Sequence, residues 1–499
     1  MNLLIKGLLY ILTPKVLFLN FIGVGAGIVV GALPGLTATM AVAILVPLSF
    51  GMNPVSAFAL LLGIYVGAVY GGSIPAILIK TPGTPAACAT IFDGYPLCQK
   101  GKAGTTLAWA TISSAIGGCI GVLFLVSLSP LITKFALSFS APEYFGLAVF
   151  GLTVIISISG EDLIKGLVAG FLGILISTIG LDPIRGIPRF TFNQIYLLGG
   201  IPLISALIGL FAVSEVLSNT EKIFQKVHII KQKIKITLPK WSEIKHNGGL
   251  IIRSGIIGTF IGALPGAGAD IAAFVAYNDA KRNSKIPERF GKGAIEGVIS
   301  AEAANNAVTG GAMIPLLSLA IPGDAVTAVL LGALMIHGLR PGPLLLTENP
   351  EIVYSFFASL FMANVFLIFL GLLGARYFVK VLYLSKKLLM PIILILCIVG
   401  SYAVSNNLFD VKLTLIFGIL GYAMQKLNFP IAPVVLGIVL GPIAEVSMRQ
   451  ALIMSHGNYA IFFIRPISVI LLILAVACLY ISFKQRKSKK KVISASQDH

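Results

Sequence analysis

An all-α polytopic membrane protein built from two repeat halves is the fold class this sequence predicts. Three observations carry it: a charge-poor apolar composition, recurring hydrophobic runs of membrane-crossing length, and Gly/Pro motifs that return in the same order. Of 499 residues, 57% are hydrophobic and 11% charged, whereas soluble domains run near ~25% charged. Water is therefore not the main solvent of this chain. Crossing ~30 Å of hydrocarbon takes about 20 helical residues. Runs of that order cover 104–128, 144–158, 163–179, 195–217, 352–373, 388–404 and 460–483. Together with the interrupted stretches below they make roughly 12 membrane elements.

The net charge is +18, but the basic residues do not form the folded patch with interleaved aromatics that holds nucleic acid. They sit in loops, and nucleic acid is not an expected partner. Lys222, Lys226, Lys231, Lys233, Lys235, Lys240 and Lys245 lie between the hydrophobic halves, and Lys484 to Lys491 lie in the tail. Lysine and arginine accumulate on the cytoplasmic side of membrane proteins, so both segments are expected there. The chain divides into a first repeat (1–218), a basic cytoplasmic linker (219–249), a second repeat (250–483) and a basic cytoplasmic tail (484–499). Cys88, Cys98, Cys119, Cys397 and Cys478 show neither metal nor disulfide spacing. The N-terminal stretch around Lys6 lacks a convincing small-residue cleavage site and reads as a retained helix. The linker is the longest polar stretch, so no soluble catalytic domain is expected.

The repeat is the most informative feature. GALPGLTA at 31–38 returns as GALPGAGA at 262–269, an offset of 231, and GGSIPAILIKTPGTPA at 71–86 returns as GGAMIPLLSLAIPGDA at 310–325. Pro75 and Pro82 fall opposite Pro315 and Pro322 at an offset of 240. The charged loop 278–292 absorbs the nine residues by which the second half is longer. Weaker echoes set DGYP (93–96) against HGLRPGP (337–343), and Glu215 against Glu445. Repeated halves joined by a linker are the build of secondary transporters, whose sites lie at Gly/Pro-interrupted segments near the midplane.

Each break exposes backbone groups that cost several kcal/mol if unpaired in lipid, so it must be buried or wet. At Leu33-Pro34-Gly35 and Leu264-Pro265-Gly266 the residue before proline leaves the helical region and glycine permits the turn. Basic flanks on both sides of 250–277 make that stretch enter and return: two arms of about 12 residues each reach ~18 Å, close to the midplane. The breaks around Thr81 to Pro85 and Pro322-Gly323-Asp324 read equally as hairpin tips or unwound spans. Helix N-termini following the breaks carry unpaired N–H donors and a partial positive charge, which suits a carboxylate. Carbonyls at the broken helix ends, with Asp270 or Asp324, suit sodium. Asn305 and Asn306 lie in the preceding apolar helix with Glu296 and Glu302; as intramembrane polar groups they are binding candidates, the alternative being interhelical hydrogen bonds. Gly23 and Gly27 read as helix-packing glycines.

In this order, GALPGLTA, YGGSIPAILIKTPGTPAA, DGYP, GALPGAGAD and IPGD resemble the large permease subunit of bacterial tripartite tricarboxylate transporters, and the resemblance covers essentially the whole chain. It implies a multi-pass protein of the bacterial inner membrane that imports citrate-like tricarboxylates or dicarboxylates, driven by sodium or protons. It also implies inverted repeats, elevator-like movement, and two separate partners: a small membrane subunit and a periplasmic solute-binding protein. The positions that match the family's motifs are Gly31, Pro34, Gly35 and Thr37; Ser73, Pro82, Gly83 and Thr84; Pro265, Gly266, Gly268 and Asp270; and Pro322, Gly323 and Asp324. With Asn305 and Asn306 they form the expected substrate site, in which Asp270 and Asp324 hold the cation. No cofactor beyond the coupling ion is expected. Two rivals remain: an intramembrane aspartyl protease using Asp270 and Asp324, whose motif context is missing, and a passive channel, which has no need of paired halves.

Overall fold

A computed structural model of the chain describes residues 3–158, 163–221, 236–381 and 386–480. Five linker lysines (Lys222, Lys226, Lys231, Lys233 and Lys235) and the basic tail lie outside them. The described chain is helical apart from a small antiparallel ribbon pairing Gly180–Leu181 with Pro188–Arg189. Eight helices are long and apolar enough to cross a membrane, and five shorter apolar helices accompany them, in keeping with the all-α polytopic class. Their outer faces are oily: Leu388, Ile392, Ile395 and Val399 of Lys386–Ser405 are exposed, as are Ile416 and Ile419 of Leu408–Lys426.

One helix stands at the centre of each half. Every residue of Ser56–Gly71 in the helix Pro54–Gly71 is buried, and so is every residue of Gly297–Gly311 in Ile295–Gly311. Neighbouring helices reach them through small residues. Gly23, Gly27 and Gly31 of Pro14–Gly31 interdigitate with Gly63, Gly67 and Gly71, and a Cβ on any of the six would come within 2.2–2.6 Å of a carbonyl oxygen of the other helix. Lipid tails are as apolar as leucine, so such close backbone packing supplies much of the attraction between membrane helices. In the second half Gly258 of Trp241–Ala263 lies on Ala304, while Gly117 and Gly121 of Ala103–Ala136 lie on Ala303 and Ala307.

Both central helices lead into the same excursion. Pro54–Gly71 bends at Gly72 into Ser73–Ile79, which ends on the left-handed Lys80 (φ 56°, ψ 25°). Ile295–Gly311 bends at Ala312 into Met313–Leu319, which ends on the left-handed Ala320 (φ 59°, ψ 25°). The pairs stand 240 residues apart, the offset of the sequence repeat. The Gly83 N–H then donates to the Gly72 carbonyl at 3.1 Å, so the chain comes back to where it left before Cys88–Gln99 begins; Ala325–Ile336 follows in the second half. These breaks are thus out-and-back loops between two helical segments, a form intermediate between the hairpin tip and the unwound span.

The LPG breaks are turns between helices: Pro14–Gly31 and Ala38–Leu45 in one half, Trp241–Ala263 and Gly268–Arg282 in the other. Leu36 N–H donates to Leu33 carbonyl at 3.1 Å, and Ala267 N–H to Leu264 carbonyl at 3.2 Å. Proline in the second position and glycine with positive φ in the third (Gly35, 93°; Gly266, 80°) fit the type II turn. The second pair has arms of 23 and 15 residues, longer than the expected halves of about 12 that just reach the midplane. The extra length arises because the first arm starts at Trp241, within the stretch read as linker, where the Glu243 side chain accepts the Lys240 N–H at 2.8 Å.

Loop contacts gather at two ends of the bundle. One end joins Lys100 to the Lys292 carbonyl, Lys165 to the Leu427 carbonyl, and Lys426 to Glu221. The other joins Ser49 to His337, Arg465 to Glu143, and Arg189 and Arg449 to Asp182 and Glu445. At the lysine-rich end the halves are clamped by Asp93 of the DGYP motif. Its Oδ1 accepts the N–H groups of Gly291, Gly293 and Ala294 at 2.9, 2.7 and 2.8 Å, and its Oδ2 accepts the Tyr277 hydroxyl at 2.8 Å. The carboxylate is fully buried. Asp93→Ala strands four donors, each costing ~1–3 kcal/mol when buried without a partner, and a net destabilisation of about 4 kcal/mol is expected after local relaxation. Thermal melting of the detergent-purified protein checks this; an unshifted midpoint would show the clamp to be dispensable.

Candidate functional site

Four helices start from the four breaks, and their first turns line one cavity of about 540 Å³. Thr37, Ala38 and Thr39 come from the first LPG turn and Thr84, Pro85 and Ala86 from the first excursion. Gly266 to Ile271 come from the second LPG turn, and Asp324, Ala325 and Val326 from the second excursion. The remaining wall comes from Val69 of Pro54–Gly71 and from segments that carry no repeat motif: Phe211, Glu215, Gln425, Pro430, Ile431, Ala432 and Leu436. The volume falls in the range of ~300–1,000 Å³ found for small-molecule sites.

The local chemistry differs from tip to tip. Thr37 caps Ala38–Leu45, its hydroxyl accepting the Met40 N–H at 3.1 Å. Asp324 caps Ala325–Ile336: its Oδ1 accepts the Thr327 N–H and hydroxyl, both at 2.7 Å, and its Oδ2 accepts the Tyr65 hydroxyl at 2.6 Å. Tyr65 belongs to the central helix of the first half, so this bond crosses between the repeats. Thr84 holds the position equivalent to Asp324; it is buried and its hydroxyl has no partner. Gly268–Arg282 starts without a side-chain cap, which leaves its first N–H groups to the cavity, and Asp270 in that first turn is exposed to the space. Each helix start contributes a partial charge of about +0.5. None of the described lining residues is lysine or arginine.

The structure brings Thr37, Thr84, Gly266, Gly268, Asp270 and Asp324 together on the cavity wall. The other expected site residues stand behind it. A Cβ on Gly31 would lie 2.2 Å from the Ala68 carbonyl oxygen, one on Gly83 2.0 Å from that of Gly31, and one on Gly323 2.5 Å from that of Gly262. These glycines seat each excursion against its LPG turn. In the second half a further bond, Gly266 N–H to Gly323 carbonyl at 2.7 Å, joins the two breaks directly. The Gly35 carbonyl accepts from Asn219, and the buried Ser73 donates to the Tyr70 carbonyl. Pro34, Pro82, Pro265 and Pro322 shape the turns without lining the cavity. Asn305 and Asn306 are fully buried and also stand outside it. Sequence reasoning passed over Phe211, Gln425 and Ile431; only Gln425, a polar residue in the apolar run 408–426, carries a signal of its own.

A larger cavity of about 940 Å³ lies beyond, at the end that holds the Arg189–Glu445 cluster, and includes Arg189 and Arg340. Two helices line both spaces in succession. Ala325 and Val326 face the four-break cavity and Leu331 and Met335 the larger one; Ala432 and Leu436 face the first and Ile438 and Pro442 the second. The two spaces are therefore stacked along Ala325–Ile336 and Ala432–Met454, with a short apolar stretch of each helix between them.

Comparison with known proteins bears on what this arrangement serves. The family model described as the tripartite tricarboxylate transporter TctA family matches residues 17–436, which takes in both repeats. An uncharacterised 52.8 kDa protein in the TAR-I ttuC' 3' region of Agrobacterium vitis is 38% identical over 488 residues, covering 98% of this chain and 97% of that protein. An uncharacterised protein in the TAR-II ttuC' 3' region of the same organism is 38% identical over 242 residues, 48% of this chain and all of that relative. With the match running across all four breaks and both halves, this chain belongs to the tripartite tricarboxylate transporter TctA family.

Proposed function

We propose that this chain is the large membrane subunit of a secondary transporter that imports a citrate-like tricarboxylate or dicarboxylate together with a cation, most simply sodium. The observation that carries the reading is the convergence of four helix N-termini on one cavity that also holds Asp270, Asp324 and Glu215. The helix starts favour an anion. The Asp270 and Asp324 carboxylates repel it, and no basic side chain among the described lining residues offsets these two. A multiply charged carboxylate enters such a space only with cations that neutralise the walls, and that requirement is itself a coupling between the two solutes. Asp270, open to the cavity, and the backbone carbonyls of the turns supply the oxygen ligands that hard cations take.

The lysine-rich end is cytoplasmic by the positive-inside rule, so the larger cavity faces the periplasmic side of the inner membrane. A periplasmic solute-binding protein delivers substrate there, and a small membrane subunit completes the assembly. Transport moves the substrate past the apolar stretch that separates the stacked spaces. The aspartyl-protease alternative is weakened by Asp324, whose two oxygens are committed to Tyr65 and Thr327. The test is uptake of labelled citrate or a labelled dicarboxylate into vesicles holding this chain, its small subunit and its binding protein. Uptake should require an inward sodium gradient and the binding protein. Accumulation that ignores every cation gradient would refute coupling, and release of peptide fragments from membrane substrates would favour the protease.

A further inference from the structure

A second polar constellation lies inside the scaffold, away from the four-break cavity. Glu302 of Ile295–Gly311 is fully buried; one carboxylate oxygen accepts the Thr90 hydroxyl and the other the Ser114 hydroxyl, the latter at 3.0 Å. Among the described residues no basic side chain pairs with it. Two hydroxyl dipoles do not offset the loss of water around a carboxylate in a dry interior, which is why buried carboxylates are found with a counter-charge.

The neighbouring groups are just as unusual. Asn306, one helical turn beyond Glu302, is fully buried, and both polar atoms of its side chain lack a partner. Buried side-chain amides are nearly always bonded, so an empty one marks a place where something binds. Residues four apart on a helix lie ~5–6 Å apart at Cβ, which puts this amide beside the carboxylate. A third contributor comes from another helix. Asn364 is fully buried, its Oδ1 has no partner, and it lies against Gly118 of Ala103–Ala136. That helix runs in step with Ile295–Gly311: Gly117 sits on Ala303 and Gly121 on Ala307. Gly118 consequently lies beside Asn306 as Ser114 lies beside Glu302.

The repeat shows that the fold does not need these groups. At the offset of 240, Leu62 and Val66 take the places of Glu302 and Asn306 in the first half, and both are fully buried. At these two positions the equivalent helix is therefore built from plain hydrocarbon. One carboxylate with hydroxyl and amide oxygens around it is a ligand set of hard oxygens with a single negative charge. We propose that Glu302, Asn306, Asn364, Thr90 and Ser114 hold one dehydrated monovalent cation of sodium's size, at a site separate from the four-break cavity. This binding does not depend on what the central cavity carries.

The experiment uses the full chain purified in detergent, with thermal melting followed against sodium chloride at ionic strength held constant with choline chloride. A ligand that binds only the folded state raises the midpoint in a saturable way. To remove any contribution from the cavity, the titration is run in an Asp270→Asn/Asp324→Asn background. The sodium response should persist there. Adding Glu302→Gln, which keeps the side chain's volume, accepts one hydroxyl at its amide oxygen and donates to the other hydroxyl's oxygen through its amide nitrogen, should abolish the response. Asn306→Ala and Asn364→Ala should each raise the half-saturating sodium concentration at least ~10-fold, as loss of metal-site contacts commonly does; these two variants decide the matter if Glu302→Gln fails to fold. The proposal is overturned if the response vanishes in the cavity background alone, or if it survives Glu302→Gln. It is equally overturned if Glu302→Gln abolishes a pH response while leaving sodium untouched, because the carboxylate would then carry a proton. Loss of carboxylate transport with this sodium response intact would instead tell against the reading of the central cavity.

Discussion

Valine at Gly83 is expected to leave no folded protein in the membrane, and valine at Gly323 should do the same. A Cβ at Gly83 would stand 2.0 Å from the Gly31 carbonyl oxygen and 2.7 Å from the Gly72 Cα; at Gly323 it would stand 2.5 Å from the Gly262 carbonyl oxygen and 2.6 Å from the Ala312 Cα. All four atoms belong to the backbone, so no rotamer change relieves the overlap. Overpacking that side chains can absorb costs about 1–3 kcal/mol. Here the excursion must lift off the LPG turn, which breaks the close approach of two helices, so a loss above ~4 kcal/mol is expected. Even alanine at either position should lower the melting midpoint and the yield of monodisperse protein. Gly249→Ala is the matched control, because a Cβ there meets nothing within 4 Å; it should be neutral or gain up to ~1 kcal/mol from helix propensity. Fluorescence-detected size exclusion of tagged variants separates the outcomes. A sharp wild-type-like peak for Gly83→Val would mean that the excursion is not seated on Gly31.

What the sequence reveals of this fold follows from how local each cause is. Proline before glycine fixes a turn through the two residues concerned, so the LPG turns and both excursions could be placed to within a few residues, and the offset of 240 carries over to the dihedrals of Lys80 and Ala320. Long apolar runs name the spans for the same reason. The cavity wall is a different matter. Phe211, Glu215, Gln425 and Ile431 reach it only because helices distant in sequence cross there; Glu215 and Gln425 stand out as polar residues in apolar runs, but nothing in their own segments says that they meet. Glycine is ambiguous by nature: at Gly266 and Gly268 it opens backbone to the cavity, whereas at Gly31, Gly83 and Gly323 it admits a neighbouring carbonyl. Both uses favour the same residue, so the motif alone does not separate them. The start of the second LPG pair at Trp241 was obscured because its polar first turns resemble a linker in composition.

Asp324→Asn should yield a folded protein whose uptake has lost its dependence on the cation. Asparagine and aspartate serve about equally as N-caps, so Ala325–Ile336 keeps its first turn and the amide oxygen still accepts from Thr327. The amide nitrogen in place of Oδ2 donates to the Tyr65 oxygen, so that bond persists only with its direction reversed, and the charge disappears. With it goes one of the three carboxylates facing the cavity, and with that carboxylate much of the need for a cation to accompany the anion. Apparent cation affinity should fall at least ~10-fold, the scale seen when contacts of a metal site are removed, while substrate binding measured without sodium should hold or tighten. Asp324→Thr gives the second-half tip the residue that the first half carries at Thr84 and also caps, but its single oxygen leaves the Tyr65 hydroxyl without its partner. Asp324→Ala is less informative, since it adds a capping loss of about 1 kcal/mol and frees the Tyr65 hydroxyl inside a buried region. Tyr65→Phe separates anchoring from charge. It keeps the carboxylate but removes the 2.6 Å bond that crosses between the halves, so it should alter the rate of uptake while leaving the sodium requirement in place. If Asp324→Asn transports with the wild-type sodium dependence, the carboxylate is only a helix cap, and the coupling charge must reside on Asp270 or Glu215.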